Sequence, residues 1–549
     1  MTTVTTIAPP PASSTTRARG SWHGTGRLFR LALRLDRTRI VMWTIGTAAL
    51  VGVSATSIDG LYTTDAERLA YAQITRDNAA MIIQAGPGYG LDRPTNGAIL
   101  MNEVAVWTFV LVAILGIMAT ARATRLDEET ARAELVRSAP VGRHAGAAAG
   151  VLSVLVTLLV VGIAVAFACV GAGFGVVGAV AFGISLVGVG MVFAAITAVA
   201  AQVASTTRGT RGLALSVLGA AFVVRAVGDV SAPWFSWLSP IHWGQAVRAY
   251  ADERWAAPVV SAAVALGGLA VALRWADHRD FGAGLLPPRP ARATASRWLT
   301  SPIALAARLH RGPTIGWVVG VAVLGAFYGV VADQAEEMLA DNPELADFLA
   351  GLGGASITDA FLATGLLVVG LLAAGCGVSA ALRMRAEESA GRADPLLAAP
   401  VSRTTWAGGH QLVVLAAVVT VTVAGAFAQG LGAAVSMGDA RQVGRVTVAG
   451  LVMAPAPAVL TGFAFALAGA APRRAALAWA ALVLAASMGL LAEVLGLPGW
   501  ARDLSPFQHV PAMPAAPFRL APVLGLIVVA AACCLAGLAG VRRRDLAVG

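Results

Sequence analysis

Twelve long apolar runs set what this chain can become. A bilayer core of about 30 Å takes roughly 20 apolar residues in one helix. Runs at 40–58, 104–121, 145–170, 176–201, 212–228 and 259–273, then at 315–331, 361–382, 412–431, 446–469, 475–491 and 523–541, reach or approach that length. With 57% hydrophobic and 13% charged residues over 549 positions, and a mean hydropathy of +0.74, polar residues are too scarce to clothe several soluble domains. The expectation is an all-α integral membrane protein of about twelve transmembrane helices, six in each half.

The halves repeat one another. A leading segment, Arg30 to Arg37, is echoed at Ile303 to Arg311, and each runs into a span carrying a tryptophan, Trp43 or Trp317. After the second span of each half comes a charged loop, RLDEETARAELVRSAPVGR from Arg125 and RAEESAGRADPLLAAPVSR from Arg385. After the fifth comes Trp234 with Leu238, Ser239 and Pro240, matched by Trp500 with Leu504, Ser505 and Pro506. Six spans return the chain to its starting side, so the repeats are expected to be parallel, with a pseudo-twofold axis along the membrane normal. The expected division is a tail and leading helix at 1–39, a first repeat at 40–274, a linker at 275–302 and a second repeat at 303–549.

All forty basic residues are arginine. A P-loop needs a lysine to reach the nucleotide phosphates, so this chain carries no Walker-type ATP site. Placing both termini in the cytoplasm puts about thirty of the arginines on cytoplasmic segments, as the positive-inside rule requires. The net charge of +10 thus reads as orientation and contact with anionic lipid, not nucleic-acid binding. Heavy alanine, glycine and valine use without lysine points to a GC-rich bacterial genome and a multi-pass protein of the bacterial cell membrane. The tail, with Pro9, Pro10 and Pro11, lacks the short apolar core and cleavage site of a signal peptide.

The outer segment between the first two spans reads as helical, ended by Gly86, Pro87 and Gly88, and its counterpart at 333–354 as a helix broken at Pro343. Cys169, Cys376, Cys533 and Cys534 fall within spans and read as small apolar residues. No metal-spaced cluster and no set of Ser, His and acid is visible, so neither a metal site nor catalytic residues are expected. Arg225, four residues before Asp229, reads as a local ion pair or a snorkelling side chain, Glu493 as a boundary charge, and Pro455 with Pro457 as a mid-span kink.

In the first charged loop, Thr124 ahead of Asp127 has the spacing of a capping box, with Asp127, Glu128 and Glu129 at the helix start and Pro140 ending it near Ser138. In the second, Gly391 and then Asp394-Pro395 signal a break and a restart. Here the chain resembles the membrane subunit of type-2 ATP-binding-cassette exporters, in which a short cytoplasmic coupling helix after the second span carries an E, G, LL, P, R pattern. Glu388, Gly391, Leu396, Leu397, Pro400 and Arg403 stand at that pattern, with Glu387 and Arg392 beside them. In the first copy Asp127, Glu128, Arg132, Pro140 and Arg143 correspond, while Ala131 replaces the glycine and Val136-Arg137 the leucines, which leaves room for unequal coupling. More narrowly, the fused twelve-span form is similar to actinobacterial polyketide-antibiotic (tetronasin-type) and mycobacterial multidrug efflux permeases.

The resemblance implies a permease that docks two copies of a separate ATPase, which binds the ATP and Mg²⁺, while this chain binds no cofactor and moves hydrophobic drugs or antibiotics outward by alternating access. The Trp-Leu-Ser-Pro motifs read as outer re-entrant turns. The alternative is a proton-driven secondary multidrug transporter, which is also built from parallel repeats but needs titratable groups deep in its spans.

Overall fold

The computed structural model describes residues 20–76, 79–280, 282–286, 294–332, 356–490 and 498–544. The outer segment at 333–354, Glu493, the prolines of the tail and most of the linker's PPRPARATAS run lie outside the described residues. The described chain is helical without strands and forms two compact units, residues 1–291 and 292–549. Among the described residues, eleven helices are long and apolar enough to cross a membrane, and a twelfth, from Leu477, is apolar but shorter. This is a multi-pass membrane protein.

In the first unit the leading segment and first span are one helix, α1 (Thr25–Leu61). At 1.5 Å per residue it is about 55 Å long, so part of it stands beyond a bilayer core of about 30 Å. Its buried Thr47, Val51, Ala55 and Ile58 recur at helical spacing and mark the one stripe that faces the unit. Two shorter helices follow, α2 (Asp65–Arg76) and α3 (Ala79–Ala85). A capping box starts α2: Thr64 Oγ1 accepts from the Glu67 amide at 3.3 Å, and the Glu67 carboxylate accepts from the Thr64 amide at 2.9 Å. Gly86, at φ 99°, ends α3 as the sequence leads one to expect.

The second span is α4 (Asn96–Ala121), extended by a π-helical turn (Arg122–Leu126) and by α5 (Asp127–Glu129). After α6 (Arg132–Arg137) come α7 (Ala145–Gly171), α8 (Val176–Val203), α9 (Thr207–Ser231), the short α10 (Pro233–Ser236) and α11 (Pro240–Gln245), and α12 (Ala256–Asp277). The interior lies around α4 and α8, where Phe109 and Phe182 meet edge to face at 6.1 Å. Helices come close where side chains vanish: a Cβ added to Gly116 of α4 would sit 2.4 Å from the Gly190 carbonyl of α8. Such small-residue contacts are how helices associate without a hydrophobic drive between them.

The second unit repeats the order with α13 (Pro302–Val330), α14 (Ile357–Ser389), α15 (Asp394–Leu397), α16 (Arg403–Met437), α17 (Arg441–Met453), α18 (Pro455–Ala470), α19 (Leu477–Leu490), α20 (Gly499–Arg502) and α21 (Leu520–Arg543). The fourth span is the pair α17 and α18, joined at Ala454, where Pro455 and Pro457 remove two amide donors. The mid-span kink expected there is present.

Candidate functional site

The first charged loop does not start as expected. Thr124 caps nothing: its hydroxyl donates back to the Thr120 carbonyl at 2.7 Å, and the helix of the second span runs on through Glu129. The break comes at Ala131, a non-glycine residue at φ 58°, and the exposed α6 follows and ends at Ser138. Behind that break the acids turn inward. Arg125, 1% exposed, donates to Glu128 at 2.9 Å and to the Ala201 and Ala283 carbonyls at 2.5 and 3.0 Å. Glu128 also holds Arg279, just past α12, at 2.6 Å, and Arg279 donates to Gln202 at 2.6 Å. Glu129 accepts from the Thr207 amide at 2.9 Å, fastening the loop to the start of α9.

After α6 the chain returns against the segment before α1. The Gly142 amide donates to the His23 carbonyl at 2.8 Å, and a Cβ at Gly142 would strike the Ser21 carbonyl at 2.2 Å. Arg143 donates to the carbonyls of Ala276 and Asp277, both at 3.0 Å, at the end of α12. Asp36 of α1 pairs with both Arg39 and Arg122, tying α1 to the base of the loop.

The second loop is built on the same plan. Gly391, at φ 68°, makes the break, and α15 begins at Asp394 with Pro395 in its first turn and Ala393, not Asp394, at the cap position. Glu388, 2% exposed, takes Arg544 with both oxygens, at 2.5 and 2.6 Å, and lies 3.3 Å from Arg385. Arg403 donates to the Arg544 carbonyl at 2.9 Å. Glu387 holds Arg392 at 2.7 Å, and this hydrogen bond lifts the Arg392 guanidinium above its usual range. Leu396 and Leu397 are partly buried against the apolar cluster that contains Trp406, whereas Pro400 is exposed.

Of the residues singled out from the sequence, then, Glu128, Arg143, Glu388 and Arg403 all reach the end of their own half's sixth span, while Asp127 and Glu387 are drawn inward. Arg132, Pro140, Arg392 and Pro400 stay at the surface. Sequence reasoning passed over Arg279 and Arg544, the arginines that complete the two brackets. Both follow a sixth span, and that shared position was the available signal.

On the opposite side, Trp234 and Leu238 are exposed, but Ser239 is buried, donates to the Ala221 carbonyl at 2.7 Å and caps the Ile241 amide as Pro240 opens α11. Trp500 and Leu504 are likewise exposed, Ser505 is buried with its hydroxyl 3.3 Å from the Ala485 carbonyl, and Pro506 opens a 3₁₀ turn. Both motifs are therefore turns pinned by serine to their fifth span.

Arg225 does not snorkel. It is fully buried, 3.4 Å from Asp229, and donates to the Ile83 carbonyl, while Asp229 also accepts from Ser236 at 2.6 Å and stands 3.4 Å from His242. A Ser, an acid and a His thus do meet, and they hold α10 and α11 against α9. Buried His310 and His410, 100 residues apart in sequence, face each other at 3.1 Å. A third grouping unseen in the sequence joins α2 to α4, where Tyr71 donates to Glu103 at 2.5 Å and accepts from Asn102 at 2.8 Å. Burial, reinforced by the Glu103 carboxylate, raises the Tyr71 phenol above its ordinary range.

Residues 299–542 match the family model described as the C-terminal domain of the multidrug efflux system permease Rv1217c. The chain is 36% identical over 546 residues to the multidrug efflux system permease protein Rv1217c of Mycobacterium tuberculosis, covering 98% of each.

Proposed function

The chain belongs to the family of multidrug efflux system permeases, and from that premise we propose that it is the membrane subunit of an ATP-driven exporter, powered by two copies of a separate ATP-binding-cassette ATPase. The observation that carries this reading is the twice-built loop: a short helix at the surface beyond a left-handed turn, with a glutamate behind it, partly buried in one copy and buried in the other, bound to an arginine past the sixth span. A surface made only for solubility has no need of such anchoring. A partner that pushes on α6 or α15 needs it, because the bracket passes the push to the sixth span, and in the first half the Asp36–Arg122 pair passes it to the first. In this reading both termini and both loops are cytoplasmic, ATP and Mg²⁺ sit on the partner, and hydrophobic drugs or antibiotics leave by alternating access.

The test is transport in inverted membrane vesicles containing permease and ATPase. Drug accumulation that requires ATP and survives an uncoupler supports the proposal. Loss of transport when the proton gradient collapses, with ATP present, overturns it in favour of a proton-driven secondary transporter. Glu103 and the His310–His410 pair favour that second reading, because they place titratable groups on span helices, each just before the apolar run of its helix.

A further inference from the structure

The first unit contains a cavity of about 1400 Å³, lined entirely by its own residues, between the loop-side portions of α1, α4, α7 and α12. Sites for small molecules usually run to roughly 300–1,000 Å³, so this one has room for more than a compact solute. Its walls are of two kinds. Leu31, Ile40, Trp43 and Met118 make an apolar side, while seven arginines against four acids, Asp36, Asp127, Glu128 and Asp280, make a cationic one. Arg39 and Arg122 are engaged by Asp36 and Arg279 by Glu128, but Arg211 keeps a buried Nε with no hydrogen-bond partner. Leu31 and Leu35 both line the cavity and are 47% and 70% exposed, so it opens sideways on the surface of α1.

At the matching positions the two repeats read differently. Residues 145–150 of α7 read AGAAAG, and a Cβ added to Gly146 would meet nothing within 4 Å. In the register that sets Arg143 on Arg403, Gly146 falls on Trp406, Gly150 on His410 and Arg122 on Leu382. Trp406 is 3% exposed and shares an apolar cluster with Met384, Leu382 and Leu538. Where the first half is hollow and cationic, the second is filled by an indole.

We infer that this cavity binds one anionic phospholipid, with its phosphate at the arginine wall and its chains along the apolar one. Guanidinium matches phosphate in charge and geometry, the apolar wall asks for hydrocarbon, and the sideways opening is where a bilayer lipid would enter. The orientation proposed above makes this a lipid of the cytoplasmic leaflet, which carries the anionic headgroups. No ATPase is involved in the binding, so failure here leaves the coupling proposal standing, and failure of coupling leaves this site standing.

The experiment is native mass spectrometry of the purified full-length permease with phosphatidylglycerol or phosphatidylcholine of identical chains. One phosphatidylglycerol is expected to stay bound to the wild type under activation that strips the remaining lipid. Gly146→Trp should lower its retention at least tenfold, and the smaller Gly146→Leu should fall between. Arg211→Ala should reduce the preference for phosphatidylglycerol over phosphatidylcholine at least threefold. Gly219→Trp, which adds the same indole at an open glycine outside the cavity, should behave as wild type. The inference is overturned if Gly146→Trp retains the lipid, if Gly219→Trp loses it equally, or if phosphatidylcholine is held as tightly. It is also overturned if glycerol phosphate competes as well as the whole lipid, since the apolar wall would then contribute nothing.

Discussion

The two charged loops differ in how many partners stand behind the same bracket. In the first, Glu128 shares its arginines with other acceptors: Arg279 also has Gln202 and the Ala283 carbonyl, and Arg125 has three further carbonyls. In the second, Glu388 takes both arms of Arg544 and stands 3.3 Å from Arg385, and Arg544 also reaches the Ala468 carbonyl at 3.5 Å. The first loop is held by a mesh and the second chiefly by one two-armed pair. A mesh tolerates the loss of one strand, whereas a two-armed buried pair strands a charge when broken.

The largest effect should therefore come from Glu388→Ala, which removes the carboxylate that holds both arms of Arg544 and costs about 3–5 kcal/mol. A steep drop in thermal unfolding midpoint, together with loss of drug efflux, would register it. Glu128→Ala should cost less, about 1.5–3 kcal/mol, because its arginines keep other acceptors. Equal losses at the two positions would show that mesh and pair are not different after all.

Next in size are the serines of the Trp-Leu-Ser-Pro motifs. Ser239→Ala removes a fully buried hydrogen bond of 2.7 Å and should cost about 1 kcal/mol, with Ser505→Ala, whose bond is 3.3 Å, costing less. Denaturant titration in detergent micelles would rank the two, and a reversed order would break the correspondence between the hairpins. Smallest in stability should be Leu135→Asp, at a side chain 76% exposed on α6, within about 0.5 kcal/mol of wild type. If α6 meets the ATPase, the same substitution should abolish stimulation of ATP hydrolysis by the permease. Leu397→Asp sharpens the contrast, because its partly buried side chain should make it lose stability and coupling together.

Much of this molecule is legible in its sequence, and the illegible part has a common cause. Apolar runs report burial in lipid directly, so the spans, the kink at Pro455 and Pro457, and the turns at Gly86, Gly391 and Pro240 can be read locally. Pairings across the fold cannot. Arg544 lies 156 residues from Glu388, and His410 lies 100 from His310, with no periodicity to link them. Arg225 reads as a local ion pair or a snorkelling end because its sequence neighbourhood offers only Asp229; the pair with Asp229 forms, but the Ile83 carbonyl that joins it comes from a helix 142 residues away. At Thr124 two local rules compete, and the continuing helix wins because the hydroxyl can satisfy itself on Thr120 without opening a new N-terminus.

The left-handed turn before each short helix is reached by Ala131 in one half and by Gly391 in the other. An alanine there sits in a small well bounded by steric walls, and a glycine in a broad one that it leaves freely. Mechanically, the first joint is a stiff elbow and the second a loose hinge. A force arriving at α6 should travel on with little lost to bending, and one arriving at α15 should first take up slack. Exchanging the two residues, Ala131→Gly with Gly391→Ala, would move the compliance from one arm of the machine to the other.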